Sequence, residues 1–245
     1  KERIILALDV ATEEHALALA GNLSPYVGVF KVGMELFTAA GPQVVQRIQD
    51  QGGKVFVDLK FHDIPNTVAG AARVMARLGC SMFTVHAAGG AAMLRAAVDA
   101  AWAEAGALEA DVPKVLAITV LTSIDQRALE TDMLVHGMSV QDAALTLAGA
   151  AKAAGVDGVV CSPHEIAAIR TACGPEFRIV TPGIRPATGA AAAAAGDQKR
   201  VMTPAEAIRL GADYLVIGRP ITGAADPAGA AQAIAEDIQS ALEGR

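Results

Sequence analysis

Asp58, Lys60, His62 and Asp63 fall within positions 58–63, where the hydrophobic run VFVDLK passes into FHDIPNT. Charged side chains are almost never fully buried unless they are paired, so this alternation at the end of an apolar segment needs a purpose. A lysine flanked by acids is kept cationic. Such an ammonium can stabilise negative charge developing beside it and then donate a proton to it. The competing reading is an ion-pair plug that closes the end of a sheet.

A second set is basic. TPGIRP (181–186) and VIGRP (216–220) each join a glycine to an arginine, Gly183 to Arg185 and Gly218 to Arg219. Glycine lets backbone amides approach an oxyanion closely, and arginine binds one as a fork. Either pair alone is consistent with an ordinary surface arginine. Two pairs after successive apolar runs point to a phosphate.

Eight short apolar runs must position these residues: 4–10, 27–33, 54–60, 82–86, 115–121, 158–162, 178–184 and 214–219. Their Val, Ile and Leu content predicts strands buried on both faces. Alanine-rich helical stretches separate them. Ser162-Pro163-x-Glu165 and Thr203-Pro204-x-Glu206 read as capping boxes with proline at the first helical position. Ser139 with Asp142 is a weaker start, and Asp226-Pro227 opens a last helix. Gly79, Gly155 and Gly211 stand where helices should stop. Eight strand–helix units in 245 residues predict a single (β/α)8 TIM barrel over 1–245, with no linker and no second domain.

In such a barrel chemistry collects where strands end. Asp9, Lys31, Asp58, Lys60, His86, Thr122, Ser123 and Arg219 all lie at or just past those ends. Alternation puts Ile5, Ala7 and Asp9 on one face, and turns Asp58 and Lys60 the same way. Inward charge from adjacent strands therefore converges on one mouth, which favours a site over a plug. His62 and His86 read as supporting residues beside it, and His15, His136 and His164 as surface.

Composition narrows the class. Apolar residues make up 53% and charged residues 19%, with a net charge of -6, which suits a filled core and opposes a nucleic-acid or polybasic membrane surface. An anionic small molecule remains compatible, because charge in a cleft can oppose the global sign. Cys80, Cys161 and Cys173 lack zinc or redox spacing and read as reduced core thiols of a cytoplasmic protein. No apolar stretch approaches the ~18 residues of a membrane span. The start, KERI, enters a strand with no signal-peptide hydrophobic region. No HExxH, GxGxxG or Walker loop is present.

DLKFHDIPNT resembles the hallmark of the orotidine 5'-monophosphate decarboxylase family. LALDV, FKVGMELF, TVHAAGG, VLTS, TPGIRP, GDQKRVMTPAEAI and GADYLVIGRPIT are similar to that family's other blocks, in order and over nearly the whole chain. Its bacterial branch fits best. The resemblance implies a (β/α)8 barrel working as a cofactor-free homodimer that converts orotidine 5'-monophosphate to UMP, the last step of pyrimidine nucleotide synthesis. It implies that Lys60 donates the proton to C6 and that Asp58 sits beside the scissile carboxylate. Asp63, Ile64 and Thr67 would enter the partner subunit's site and complete an Asp-Lys-Asp array with Lys31. Asp9 and Lys31 would hold ribose hydroxyls, and Thr122 the base. Arg185, Gln198, Gly218 and Arg219 would hold the 5'-phosphate and the loop over it. One departure is the alanine run at 189–196 (GAAAAAAG), an insertion in that loop.

Two rival readings exist. Magnesium-dependent sugar-phosphate decarboxylases and synthases look similar around Asp-x-Lys-x-x-Asp but place an acid where this chain has Lys31, and a lysine there opposes a metal by like charge. A non-catalytic nucleotide-binding barrel would keep the arginines but has no need of a lysine between aspartates.

Overall fold

Parallel strands covered by helices are buried on both faces, so their sequences are continuous runs of branched and aromatic residues. In the computed structural model, which describes residues 1–186 and 202–244, eight such runs are strands. They are β1 (Ile4–Ala7), β2 (Val29–Gly33), β3 (Val55–Phe61), β4 (Met82–His86), β5 (Lys114–Ile118), β6 (Gly158–Val160), β7 (Arg178–Thr181) and β8 (Tyr214–Ile217). Each pairs in parallel with the next, and β8 returns to β1 to close the barrel. The expected fold is therefore observed.

The helices are α1 (Glu13–Leu23), α2 (Met34–Ala40), α3 (Gln43–Asp50), α4 (Pro65–Arg77), α5 (Gly90–Ala107), α6 (Gln126–Thr131), α7 (Val140–Ala153), α8 (Ile166–Cys173), α9 (Pro204–Leu210), α10 (Arg219–Thr222) and α11 (Pro227–Glu243). Their starts follow the sequence signals. Thr203 and Glu206 form a reciprocal capping box on α9, the Glu165 carboxylate accepts from Ser162 N–H at 2.9 Å in the turn leading into α8, and Ser139 and Asp226 cap α7 and α11. α9 stops at Gly211, whose left-handed φ of 114° suits a residue without Cβ.

Two apolar layers result. Leu6, Val32, Val57, Phe83 and Ile179 face outward under the helices. Ile5, Val29, Phe56, Met82, Leu116 and Val180 fill the barrel interior. The interior layer is the floor on which the polar residues of the carboxyl-end mouth stand. Cys80, Cys161 and Cys173 are free and buried, and burial pushes the Cys80 thiol up to about 12. Among the described residues no helix is long and apolar enough to cross a membrane.

Candidate active site

Ile5 points into the barrel and Leu6 and Leu8 point under the helices, so alternation carries Ala7 and Asp9 to the mouth. The same rule turns Lys31 inward from β2 and Asp58 inward from β3. Lys31 is only 8% exposed, which an ammonium tolerates only with anionic partners. It has two: Asp9 Oδ1 at 2.9 Å and Asp58 Oδ2 at 3.7 Å. The other oxygen of Asp58 lies 2.9 Å from Lys60 Nζ. The result is a row of alternating charge, Asp9–Lys31–Asp58–Lys60, across three adjacent strands.

Lys60 departs from simple alternation. Its φ is +54°, a left-handed conformation that costs a non-glycine residue of order 1–3 kcal/mol. Val57 pairs with Phe83 and Phe61 with Val85, so four steps along β3 pass only two along β4. Lys60 sits in that bulge. Its N–H donates to Thr84 Oγ1 at 2.8 Å, and Thr84 donates in turn to Asp58 Oδ1 at 3.0 Å. Strand alternation foresees Asp58 and Lys60 on one side; the structure brings them together through a bulge instead.

A cavity of about 510 Å³ opens above this row. Asp9, Lys31, Asp58, Lys60, Thr122, Arg185, Gly218 and Arg219 all line it, over a floor of Phe56, Ile118, Val160 and Val216. The regular ladder ends at Ala7, Ile118, Thr181 and Ile217, earlier than the apolar runs suggest; Asp9, Thr122 and Arg185 stand on the turns beyond, and Arg219 opens α10. The turn after β7 is fixed by a bridge: Arg185 N donates to Met202 O at 3.0 Å, and Met202 N to Gly183 O at 3.3 Å. After β8, a Cβ on Gly218 would lie 3.3 Å from that of Ala7, so the backbone there runs tight against β1.

The remaining expected residues lie elsewhere. Asp63, Ile64 and Thr67 are exposed, Ile64 by 67%, and within this chain they stay outside the cavity. Asp63 Oδ1 accepts from Ile64 N at 2.6 Å at the start of α4. His62 and His86 stack with ring centroids 5.1 Å apart. Burial, reinforced by His62 and Lys60, lowers the pKa of His86, and its Nδ1 accepts from Ala88 N at 3.3 Å. Both histidines border the mouth without entering the cavity. His15, His136 and His164 are at the surface. Gln198 and the 189–196 run lie outside the described residues. Among the described residues no three His, Cys, Asp or Glu side chains gather as metal ligands. The residue that sequence reasoning missed is Thr84; its only signal was a hydroxyl between inward-facing Met82 and His86.

Residues 2–234 match the model of the "Orotidine 5'-phosphate decarboxylase / HUMPS family". The chain is 57% identical over 239 residues to orotidine 5'-phosphate decarboxylase of Moorella thermoacetica, covering 98% of this chain and 93% of that one. It is 56% identical to the Syntrophomonas wolfei enzyme of the same name, covering 98% of each. The crystal structure of orotidine 5'-phosphate decarboxylase from Lactobacillus acidophilus superimposes with a TM-score of 0.83 at 41% identity, over 97% of this chain and 99% of that one. The chain belongs to the orotidine 5'-phosphate decarboxylase / HUMPS family and is a carboxy-lyase of its decarboxylase branch.

Proposed function

We propose that this protein decarboxylates orotidine 5'-monophosphate to UMP, with Lys60 donating the proton to C6. The observation that carries the reading is the order of groups around the mouth. β7, β8, β1, β2 and β3 are consecutive neighbours. Along that arc stand Arg185, Arg219, Asp9, Lys31, Asp58 and Lys60: two guanidiniums for a phosphate, then hydroxyl-binding groups for a ribose, then the acid–ammonium pair for the ring. Thr122, after β5, offers a hydroxyl to the base from across the cavity.

Losing CO₂ from C6 leaves an electron pair in the ring plane, where the π-system cannot delocalise it. Charge must therefore do the work. The Lys60 ammonium lowers the energy of the developing carbanion and then transfers a proton to it, forming the C6–H bond of UMP. Asp58 holds Lys60 at 2.9 Å and, on the resemblance, lies beside the departing carboxylate and repels it. Phosphate binding at Arg185 and Arg219 supplies binding energy remote from the reacting carbon, which can be used to desolvate the site. Lys31, 2.9 Å from Asp9 and 3.7 Å from Asp58, occupies the place where a sugar-phosphate enzyme of this fold needs acids around a metal ion.

The exposure of Asp63, Ile64 and Thr67 supports a homodimer in which they complete the partner's site. Gln198 is assigned to the phosphate on the resemblance alone. A cytoplasmic setting suits the substrate and the three free cysteines.

The test is incubation with orotidine 5'-monophosphate, following the ultraviolet change to UMP, with and without EDTA, on protein whose mass in solution is measured. Turnover that persists in EDTA on a dimer is expected. No conversion would reject the substrate, loss in EDTA would favour the metal-dependent reading, and a fully active monomer would remove Asp63, Ile64 and Thr67 from the site.

A further inference from the structure

We propose that Thr84 is a positioning residue for the Asp58–Lys60 pair, a role that rests on the decarboxylase reading above. Thr84 is fully buried, at 0% exposure, on the inward face of β4 beneath the bulge in β3. A threonine hydroxyl has one proton to give and can accept from others. Here both capacities are used. The oxygen accepts from the backbone N–H of Lys60 at 2.8 Å, and the proton goes to Asp58 Oδ1 at 3.0 Å. That same carboxylate oxygen receives Lys60 Nζ at 2.9 Å. The chain of contacts therefore closes on itself, from the Lys60 backbone through Thr84 and Asp58 to the Lys60 side chain.

Each link restricts another. The bulge takes Lys60 out of ladder register with β4, so its N–H needs a partner other than a strand carbonyl, and Thr84 provides it. With that N–H in place, the backbone is held at φ +54°, and the side chain leaves β3 toward the cavity. Because its oxygen is engaged by Lys60, the Thr84 proton is directed at Asp58, which fixes the rotation of that carboxylate. The oxygen left over faces Lys31 at 3.7 Å. One hydroxyl thus sets both the origin of the lysine side chain and the orientation of its counter-ion.

Thr84→Val removes the hydroxyl and keeps the branched shape. The expected result is a folded protein whose kcat falls about 10²-fold, as a displacement of order 1 Å at a reacting group does. KM for orotidine 5'-monophosphate and the affinity for UMP should stay near wild type, because the arginines and Asp9 are untouched. Thr84→Ser, which restores the hydroxyl, should recover most of kcat. Should the valine variant not fold, Thr84→Ala provides the same comparison with serine. A folded valine or alanine variant with wild-type kcat would overturn the proposal. So would a change confined to KM, or a serine variant as slow as valine, which would assign the effect to packing of the methyl. A wild-type protein that leaves orotidine 5'-monophosphate intact would instead overturn the reading of the site.

Discussion

The two ends of this barrel both hold ion pairs, and they use them differently. At the amino ends of the strands, Arg170 Nη2 lies 2.6 Å from Asp213 Oδ2, and the same guanidinium donates to the carbonyls of Gly174, Phe177 and Gly211 at 2.7 Å each. Asp213 also accepts from the backbone of Ile179 at 2.8 Å. These charges bind backbone and hold α8, β7 and β8 together. At the carboxyl ends, Asp9, Lys31, Asp58 and Lys60 are satisfied mainly by one another and line a cavity. Charge spent on the main chain is structural. Charge held by other side chains, at the rim of a hollow, stays available to a ligand.

Three substitutions sharpen that contrast. Lys60→Ala should lower kcat by about 10³-fold or more, as loss of a proton donor that also stabilises the anion does, while UMP still binds; near-normal turnover would end the role given to this lysine. At the other end, Arg170→Ala should destabilise the fold by about 3 kcal/mol, because the carbonyls of Gly174, Phe177 and Gly211 lose their charged donor and half-buried Asp213 keeps only the Arg178 guanidinium, at 3.4 Å. Thermal unfolding would show this as a drop of roughly 6–12 °C, with kcat unchanged in the protein that remains folded. A catalytic defect without a stability loss would erase the distinction between the ends. The smallest effect is expected from Arg219→Ala, about 10–100-fold in kcat/KM, the worth of a hydrogen bond to a charged group. Steady-state kinetics that match wild type would take this arginine out of the phosphate site.

Much of the fold was legible because double-sided burial writes itself into every strand as an apolar run, and because the capping-box sequences at Ser162 and Thr203 mark helix starts locally. The inward row was legible from alternation at Asp9 and Asp58, and Lys31 from its place in the second apolar run. Lys60 was identified by its flanking acids, but its bulge was not, since a strand's register depends on the partner strand and not on its own sequence. Thr84 escaped because threonine is ordinary in a strand; its significance appears only when β4 lies beside β3. Asp63, Ile64 and Thr67 were singled out by resemblance, and a single chain leaves them on its surface.

Because β8 hydrogen-bonds to β1, the first and last strands meet in the middle of the proposed substrate's footprint. No contiguous half of the polypeptide owns both the proposed phosphate anchor and the proposed proton donor. Across the β8–β1 seam Arg219 lines the same cavity as the acid–ammonium row. On the proposed function, turnover therefore requires the closed ring.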